Sequence, residues 1–280
     1  MNTVKHRQNE VAALRLQAAA RWHLNQADNI DLIYWAVLIT IPLLKFFWIK
    51  NAGIDFVLII WFFLTFFLDF QIEKYTALGA EYKDNFDRYV YGWIDTIPKE
   101  VCSSSKKLEA DYPEWFALQM RNNGNDNPRG VKDWYELITN EDDEQEAIQK
   151  AFTGNGKYDQ HINHTLYVVI LGLISVFLSV AYFMELPFSD LLNTFFITYA
   201  SLSKKVISTL KNISKSNKIN KDVEEILSNS GEATEFQYAQ TLLYKKRLIS
   251  GISLRYIYSA SKDKITKRLY RRFIKNENQD

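Results

Sequence analysis

Three polar side chains near the middle of the chain have the spacing of a metal half-site. Asp159, His161 and His164 lie close together, and the two histidines are one helical turn apart. The sequence supplies no obvious further ligands, which favours polar residues leading into an apolar helix and predicts no metal site. The GNGK string at 154–157 lacks the spacing of a phosphate-binding loop and is predicted to form a turn.

Other signatures of catalysis are absent from the sequence. It contains no G-x-S-x-G, H-E-x-x-H or C-x-x-C string. Its single cysteine, Cys102, permits no internal disulfide and agrees with a reducing compartment. We therefore predict that the protein is not an enzyme and needs no cofactor.

Apolar residues are concentrated in four stretches of the chain. The chain has 280 residues and is 47% hydrophobic, yet its mean hydropathy is slightly negative. A bilayer core needs about 20 mainly apolar residues in a helix, and 30–49, 52–70, 165–184 and 188–202 approach this length, the last being the shortest and most polar. The links between the first two and between the last two are very short. The sequence therefore predicts a mainly α membrane protein with four transmembrane helices in two hairpins, although whether the fourth crosses fully stays open.

The charge distribution predicts the orientation of these hairpins. Residues 203–280 contain 17 Lys and Arg against 8 Asp and Glu, and residues 1–29 contain 4 against 2. The opposite side offers only Lys50. Because basic residues near span ends stay in the cytoplasm, we expect both termini and the region between the hairpins to be cytoplasmic.

The predicted organisation has five parts. These are an N-terminal cytoplasmic amphipathic helix at 1–29, transmembrane hairpin 1 at 30–70, a cytoplasmic region at 71–164, transmembrane hairpin 2 at 165–202 and basic C-terminal cytoplasmic helices at 203–280.

The polar parts are predicted to be mostly helical. The N-terminal helix lies on the membrane surface or, more commonly for such helices, packs on the cytoplasmic domain. Residues 71–92 continue the second span as a helix, and 93–132 have strand and turn character. A further helix begins at Asn140 and ends at Gly154. Three helices follow the fourth span, the last strongly basic.

The fourth span carries a polar stripe. Asp190, Thr194, Thr198 and Ser201 share one helical face, with Asn193 beside it. Polar groups in hydrocarbon are costly, so they face protein or water. The stripe either lines an aqueous path or forms hydrogen bonds between helices. Four helices cannot enclose a wide pore alone, so a lesion would need several copies of the chain.

The arrangement and several short strings resemble the SMODS-associated four-transmembrane effectors of bacterial CBASS anti-phage systems. The resemblance runs over most of the chain, and the order of the strings around two hairpins carries it. The matching residues are Gln8, Asn9, Leu14, Gln17 and Arg21 near the N-terminus, Asp133, Trp134 and Tyr135 before the second hairpin, Ala147, Ile148, Tyr158 and Asp159 leading into it, and Gln240, Lys246, Arg247 and Tyr258 in the C-terminal region.

The resemblance implies a cyclic-oligonucleotide-activated effector of the bacterial inner membrane. A partner nucleotidyltransferase makes the messenger; the effector binds it, forms a homo-oligomer and permeabilises the lipid bilayer. A ligand with phosphates and flat bases needs Lys or Arg and aromatic faces. The residues that fit are Trp134, Tyr135, Tyr158, Lys246, Arg247 and Tyr258.

Two other functions agree with the same pattern. One is a constitutive channel or transporter, against which the sparse charge within the spans and the large cytoplasmic share argue. The other is a membrane-anchored scaffold or regulator whose spans only tether it. A neighbouring nucleotidyltransferase gene would favour the effector. The sequence does not specify the messenger's bases, the subunit number or the size of the pore.

Overall fold

Eight helices make up most of the computed structural model, which describes residues 2–47, 52–183, 188–229 and 233–251. The helices are α1 (Thr3–Arg7), α2 (Val11–Phe47), α3 (Ala52–Val90), α4 (Lys99–Asp111), α5 (Pro113–Arg121), α6 (Glu144–Phe183), α7 (Phe188–Asn229) and α8 (Ala233–Arg247). No strand occurs in these ranges; the nearest feature is an isolated bridge between Asn123 and Lys132. The predicted, mainly helical fold class is therefore confirmed.

Four of these helices are much longer than a membrane is thick. α2, α3, α6 and α7 have 37, 39, 40 and 42 residues, or roughly 55–65 Å at 1.5 Å per residue, against a bilayer core of ~30 Å. Each helix contains one predicted span and a polar half that continues from it. The polar halves assemble with the short helices α1, α4, α5 and α8.

The long helices contact one another closely. α2 packs mainly on α3, and a Cβ added at Gly79 of α3 would lie 2.7 Å from the Leu24 side chain and 3.2 Å from the Ala20 carbonyl oxygen. Only glycine permits such an approach without displacing its neighbours. α7 contacts α2, α3, α6 and α8, so it connects the two predicted hairpins.

One hydrophobic core unites the polar halves. It includes Leu16 of α2, Phe86 of α3, Phe116 of α5, Phe152 of α6 and Leu243 of α8, all buried. A second cluster continues the core toward the apolar segments, with Tyr34, Leu38, Ile170 and Ile213 among its members. Segments far apart in sequence therefore meet in each of two hydrophobic clusters.

The apolar half of α3 is exposed on one side. Phe56, Phe63, Phe67 and Phe70 show more than half of their surface. Within the described residues one helix, in the stretch Phe56–Val90, is long and apolar enough to cross a membrane. One such helix does not establish four spans, and the four-span arrangement stays a prediction.

The structure corrects the interpretation of 93–132. This stretch forms α4 and α5 and a loop, with no strand among its residues. Pro98 and Pro113 stand at helix starts, where the missing N–H costs nothing. Residues 93–98 and the residues after Arg121 are irregular. Gly130 lies so close to Asn122 that a Cβ would overlap its carbonyl oxygen.

The helix predicted between Asn140 and Gly154 has different limits. α6 begins at Glu144, because Asp143 caps it by accepting the Glu146 N–H at 2.8 Å. Gly154 does not end it. α6 continues through the whole GNGK string, so the predicted turn there is wrong. Buried side chains before the glycines, such as Phe152, hold this part of the helix on the core and outweigh the weak helix preference of glycine.

The N-terminal segment packs on the hydrophobic core of the polar halves, while its cytoplasmic location stays a prediction. Ala13, Leu16, Ala18, Ala19 and Ala20 of α2 are buried in the core, whereas Val11 is exposed. This part of α2 is buried on several faces, because its small side chains let neighbouring helices approach closely. α8 ends at Arg247, and the predicted basic helix after Gly251 lies outside the described residues.

Candidate functional site

A cavity of about 340 Å³ lies among the polar halves of the long helices. α2, α3, α6 and α7 line it, together with the 124–136 segment and the residues from Lys246 to Gly251. Its size falls within the usual range for small-molecule sites. The cavity is therefore built from the same four continuous helices that contain the apolar stretches.

The cavity has two ends of different character. The outer end is lined by Gln17, Arg21, Lys83, Arg129, Trp134, Asn155 and Arg247, and the inner end, toward the apolar stretches, by Ala27, Asp28, Asp31, Ile72, Ile162, Asn163, Ser216, Ile249 and Gly251. Gln17 and Asp31 are fourteen positions apart on α2, or about 21 Å along the helix. Basic side chains predominate at the outer end, whereas the inner end is mostly apolar and contains the Asp31 carboxylate that is paired with Lys205.

Four of the six predicted ligand residues line this cavity. They are Trp134, Tyr158, Lys246 and Arg247. Tyr135 is buried beside the cavity without lining it, and Tyr258 lies outside the described residues. The structure thus brings together residues separated by more than a hundred positions, although a ligand role for them stays a prediction.

Asp87 is the centre of a buried ionic network at the outer end. Its carboxylate lies 2.6 Å from Arg247 Nη2 and 3.1 Å from Lys83 Nζ. The Tyr135 hydroxyl donates to it at 2.5 Å and Gln240 Nε2 at 3.2 Å. Asp87 itself is fully buried. One buried carboxylate therefore pairs with two basic side chains.

The environment shifts the titration of these groups. Burial lowers the pKa of Lys83 to about 7, aided by Arg247 and opposed by Asp87. Burial alone would raise the pKa of Asp87, but the charges of Arg247 and Lys83 and the Tyr135 hydroxyl hold it below its usual value. Burial and the Asp87 charge raise the pKa of Tyr135 well above that of a free tyrosine. Asp87 is therefore ionised and Tyr135 protonated near neutral pH.

Several buried polar atoms of the outer end have no protein partner among the described residues. They are Lys83 Nζ, Arg247 Nη1, Asn155 Nδ2 and the acceptor Gln17 Oε1. Lys83 is within ion-pair distance of Asp87, but its ammonium makes no well-directed hydrogen bond. Buried polar groups are normally satisfied. The three donors among them can therefore donate hydrogen bonds to oxygen atoms of a ligand or water.

Aromatic rings lie next to these cations. Trp134 and Tyr158 both line the cavity and are half-buried. The Lys83 ammonium is 4.8 Å from the Trp134 ring centroid and 5.0 Å from that of Tyr135. Flat apolar faces beside cations suit a ligand with both rings and anionic groups.

Lys246 is already paired within the protein. Its ammonium contacts the Asp159 carboxylate and lies 2.9 Å from Asn220 Oδ1. Asp159 is therefore engaged in an ion pair, and no group of three or more His, Cys, Asp and Glu side chains able to hold a metal occurs in the described part of the chain. Of the two predicted basic residues, Arg247 has the unpartnered donor.

The inner end contains a second buried ion pair. Asp31 of α2 contacts Lys205 of α7, and the two side chains are 2% and 7% exposed. Asp31 Oδ1 makes this contact, while Asp31 Oδ2 has no partner among the described residues. The Lys205 ammonium also lies 4.6 Å from the Tyr34 ring centroid. The pair thus joins the inner end of the cavity to the start of the polar half of α7.

A neighbouring pair resembles it but does not line the cavity. Lys204 contacts Asp69 of α3 at 2.7 Å, and both side chains are about one-third exposed. The consecutive lysines of α7 are therefore fixed to two different helices, and only one of their partners borders the cavity.

Several residues shared with the family strings have structural roles around the site. Asn9 Nδ2 donates to Asp133 Oδ1 at 2.7 Å, and its Oδ1 accepts the Asp133 N–H. These bonds hold Asp133 at φ 51°, a conformation that few residues other than Asn, Asp and Gly adopt. Gln8 Oε1 accepts the Tyr135 N–H at 2.8 Å. The N-terminus thereby positions Trp134 between two fixed neighbours.

The polar stripe of the fourth span is described only in part. Ser201 is buried. The backbone of Asp190, Asn193, Thr194 and Thr198 belongs to α7, but their side chains lie outside the described ones. A pore-lining role for the stripe stays a prediction.

Sequence reasoning missed Lys83, Asp87, Arg129 and Asp31. The pairing of Lys83 with Asp87, four residues apart on a helix, was available as a signal, but charged residues at this spacing usually face solvent. Arg129 and Asp31 have no sequence signal, since their position depends on contacts across more than fifty residues.

Comparison with known protein families supplies independent evidence. The family described as "SMODS-associating 4TM effector domain" matches residues 2–273, nearly the whole chain. Comparison with curated proteins and with solved structures finds no match. This description supports a membrane protein with an effector role. Because the match spans both predicted hairpins and every element around the cavity, the chain belongs to the SMODS-associating 4TM effector domain family.

Proposed function

We propose that this protein is a membrane effector activated by a cyclic oligonucleotide that binds in the cavity. The carrying observation is that the cavity is lined by four helices, each continuous with one apolar stretch. A ligand there contacts all four predicted membrane helices at once. Binding that prefers a different arrangement of these helices shifts the equilibrium toward it.

The chemistry of the outer end fits a phosphate-bearing ring. Arg21, Lys83, Arg129 and Arg247 place four basic side chains around it, whose charge the carboxylates of Asp87 and Glu136 partly offset. Phosphate oxygens accept charge-assisted hydrogen bonds from such donors, and bases stack on rings such as those of Trp134 and Tyr158.

The proposed membrane event uses the same four helices. Ligand-bound copies assemble in the bacterial inner membrane with both termini in the cytoplasm, and the assembled copies permeabilise it. The messenger comes from a partner nucleotidyltransferase, as the family's association implies. Growth arrest of the infected cell would then limit phage production.

Binding is tested on the full chain in lipid nanodiscs with cyclic di- and trinucleotides, by calorimetry. Arg129→Gln should weaken binding roughly 10- to 100-fold, because a charge-assisted hydrogen bond contributes about 1.5–3 kcal/mol. Arg129 is preferable to Arg247, whose removal also disrupts Asp87. Arg121→Gln is the matched control, since Arg121 is exposed and lies outside the cavity lining. Failure of every cyclic oligonucleotide to bind would refute the proposal.

Permeabilisation is tested by dye release from liposomes that contain the protein. The wild type should leak only with the ligand it binds. Thr194→Val with Thr198→Val should bind the ligand equally well and leak less, because a water-filled path becomes apolar there. Leakage without ligand would favour a constitutive channel, and binding without leakage a scaffold. If the double variant leaks like the wild type, the polar stripe does not line the pore.

A further inference from the structure

The inner end of the cavity has a polar atom that the proposed phosphate contacts do not use. Asp31 borders the cavity and its side chain is 2% exposed. Its Oδ1 is bound to Lys205, and its Oδ2 has no partner among the described residues. An ionised carboxylate oxygen can only accept hydrogen bonds.

A second acceptor, Asn163, lines the same cavity. Asn163 uses both hydrogens of its amide, donating to Ser216 Oγ at 3.0 Å and to Asn217 Oδ1 at 2.8 Å. Its remaining polar atom, Oδ1, can only accept. The walls at the same level are the apolar side chains of Ala27, Ile72, Ile162 and Ile249. The inner end is thus an apolar slot in which Asp31 Oδ2 and Asn163 Oδ1 can accept hydrogen bonds from a ligand.

A phosphate does not fit this end. The Lys205 ammonium at this end is already paired with Asp31 Oδ1, and the unpartnered Asp31 Oδ2 would repel an anion. A flat ring that carries an N–H donor fits both the apolar walls and the acceptors. In a nucleotide, such a group is the amino substituent of a base.

We infer that the inner end recognises a base bearing an exocyclic amino group, which donates to Asp31 Oδ2. This inference rests on the proposed function. It makes Asp31 a residue that determines ligand specificity, with the phosphates held at the outer end. A base that presents a carbonyl instead would place an acceptor against a carboxylate, and discrimination of this kind is strong when the protein's polar atom is buried.

Hypoxanthine supplies the matched ligand. It differs from adenine by a carbonyl in place of the amino group and from guanine by loss of the amino group. Binding of cyclic di- and trinucleotides of adenine, guanine and hypoxanthine is measured by calorimetry on the full chain in nanodiscs. At least one amino-bearing ligand should bind about tenfold or more tightly than its hypoxanthine counterpart, because an unsatisfied buried acceptor opposes binding.

Asp31→Asn should reduce this ratio to about threefold or less, because the amide can turn its NH₂ toward a carbonyl. Asp31→Asn with Lys205→Met avoids leaving Lys205 unpaired and should give the same loss of discrimination. Asp69→Asn is the matched control, since it breaks the neighbouring ion pair with Lys204 outside the cavity lining, and it should keep the ratio. Thermal unfolding of each variant checks that it is folded.

The outcomes separate the two proposals. If amino-bearing and hypoxanthine ligands bind equally tightly, the inference about Asp31 is wrong and the proposed function stands. An unchanged ratio in both folded Asp31 variants overturns the inference in the same way. If no cyclic oligonucleotide binds the wild type, the proposed function fails, and the inference with it.

Discussion

The two ends of the long helices are stabilised by different interactions. In its polar half, α3 buries Phe86 completely and connects Asp87 to Arg247 and Tyr135. In its apolar half, the same helix exposes Phe63 and Phe67 by 67% and 59%. Among the described residues, the polar half packs on a shared core, whereas the apolar half of α3 leaves large apolar side chains uncovered. Mutations of the same chemical type should therefore have unequal effects at the two ends.

The largest expected effect comes from removing the central carboxylate. Asp87→Ala leaves Arg247 and Lys83 buried without their counter-charge, and breaking such a network costs about 3–5 kcal/mol. Chemical unfolding of the purified protein, followed by helical circular dichroism, measures this loss. Asp69→Ala breaks the partly exposed pair with Lys204 and should cost about 1 kcal/mol or less. Equal losses of unfolding free energy in the two variants would show that the ion pairs of the two halves contribute equally to stability.

Truncating one phenylalanine at each end sharpens the comparison. Phe86→Ala should destabilise the polar half by about 3–4 kcal/mol, because it leaves a cavity in a packed core. Phe63→Ala should change the unfolding free energy by less than about 0.5 kcal/mol in the same assay, since Phe63 has few protein neighbours to lose. A large loss for Phe63→Ala would show that this face is covered by protein, which a cross-linking measurement between copies would then detect.

The smallest expected effect is a pH dependence that arises at the polar end. The pKa of Lys83 is lowered from 10.5 to about 7, so above pH 7 the folded protein binds fewer protons than the unfolded chain. Stability should therefore rise with pH from about 7 toward 10.5, by on the order of 1 kcal/mol per unit at most.

The measurement is the difference in unfolding free energy between pH 7 and pH 8.5. This increase in unfolding free energy should be smaller in Lys83→Met than in the wild type. Lys106→Met, at an exposed position, should show the same increase as the wild type. If the wild type and Lys83→Met show the same slope, Lys83 keeps an ordinary pKa and its charge is not suppressed by burial.

The sequence predicted the mainly helical structure correctly, but some local patterns gave wrong predictions. Gly154 and Gly156 predicted a turn, yet α6 passes through both, because buried neighbours such as Phe152 outweigh the cost of a glycine. Pro98 and Pro113 lie in the stretch that was predicted to have strand and turn character, but they stand at helix starts. Local propensities are worth about 1 kcal/mol per residue or less for most residues, and tertiary packing exceeds this.

The candidate site was predictable only where a family string carried it. Trp134, Tyr158, Lys246 and Arg247 belong to such strings, and the cavity brings them together. Tyr135 and Gln240 belong to the same strings but contact Asp87. A family string indicates that a residue type is needed, but it does not show whether the residue serves packing or binding.

The sequence by itself determined the helical class, the position of the apolar stretches and the family, since these depend on composition, periodicity and short strings of neighbouring residues. Only the tertiary structure decided that Asp31 meets Lys205, that Asp87 meets Arg247, and that a cationic and an acceptor end share one cavity. The physical reason is distance along the chain. These partners are separated by more than 150 residues, and their approach follows from the packing of four long helices, which no local pattern encodes.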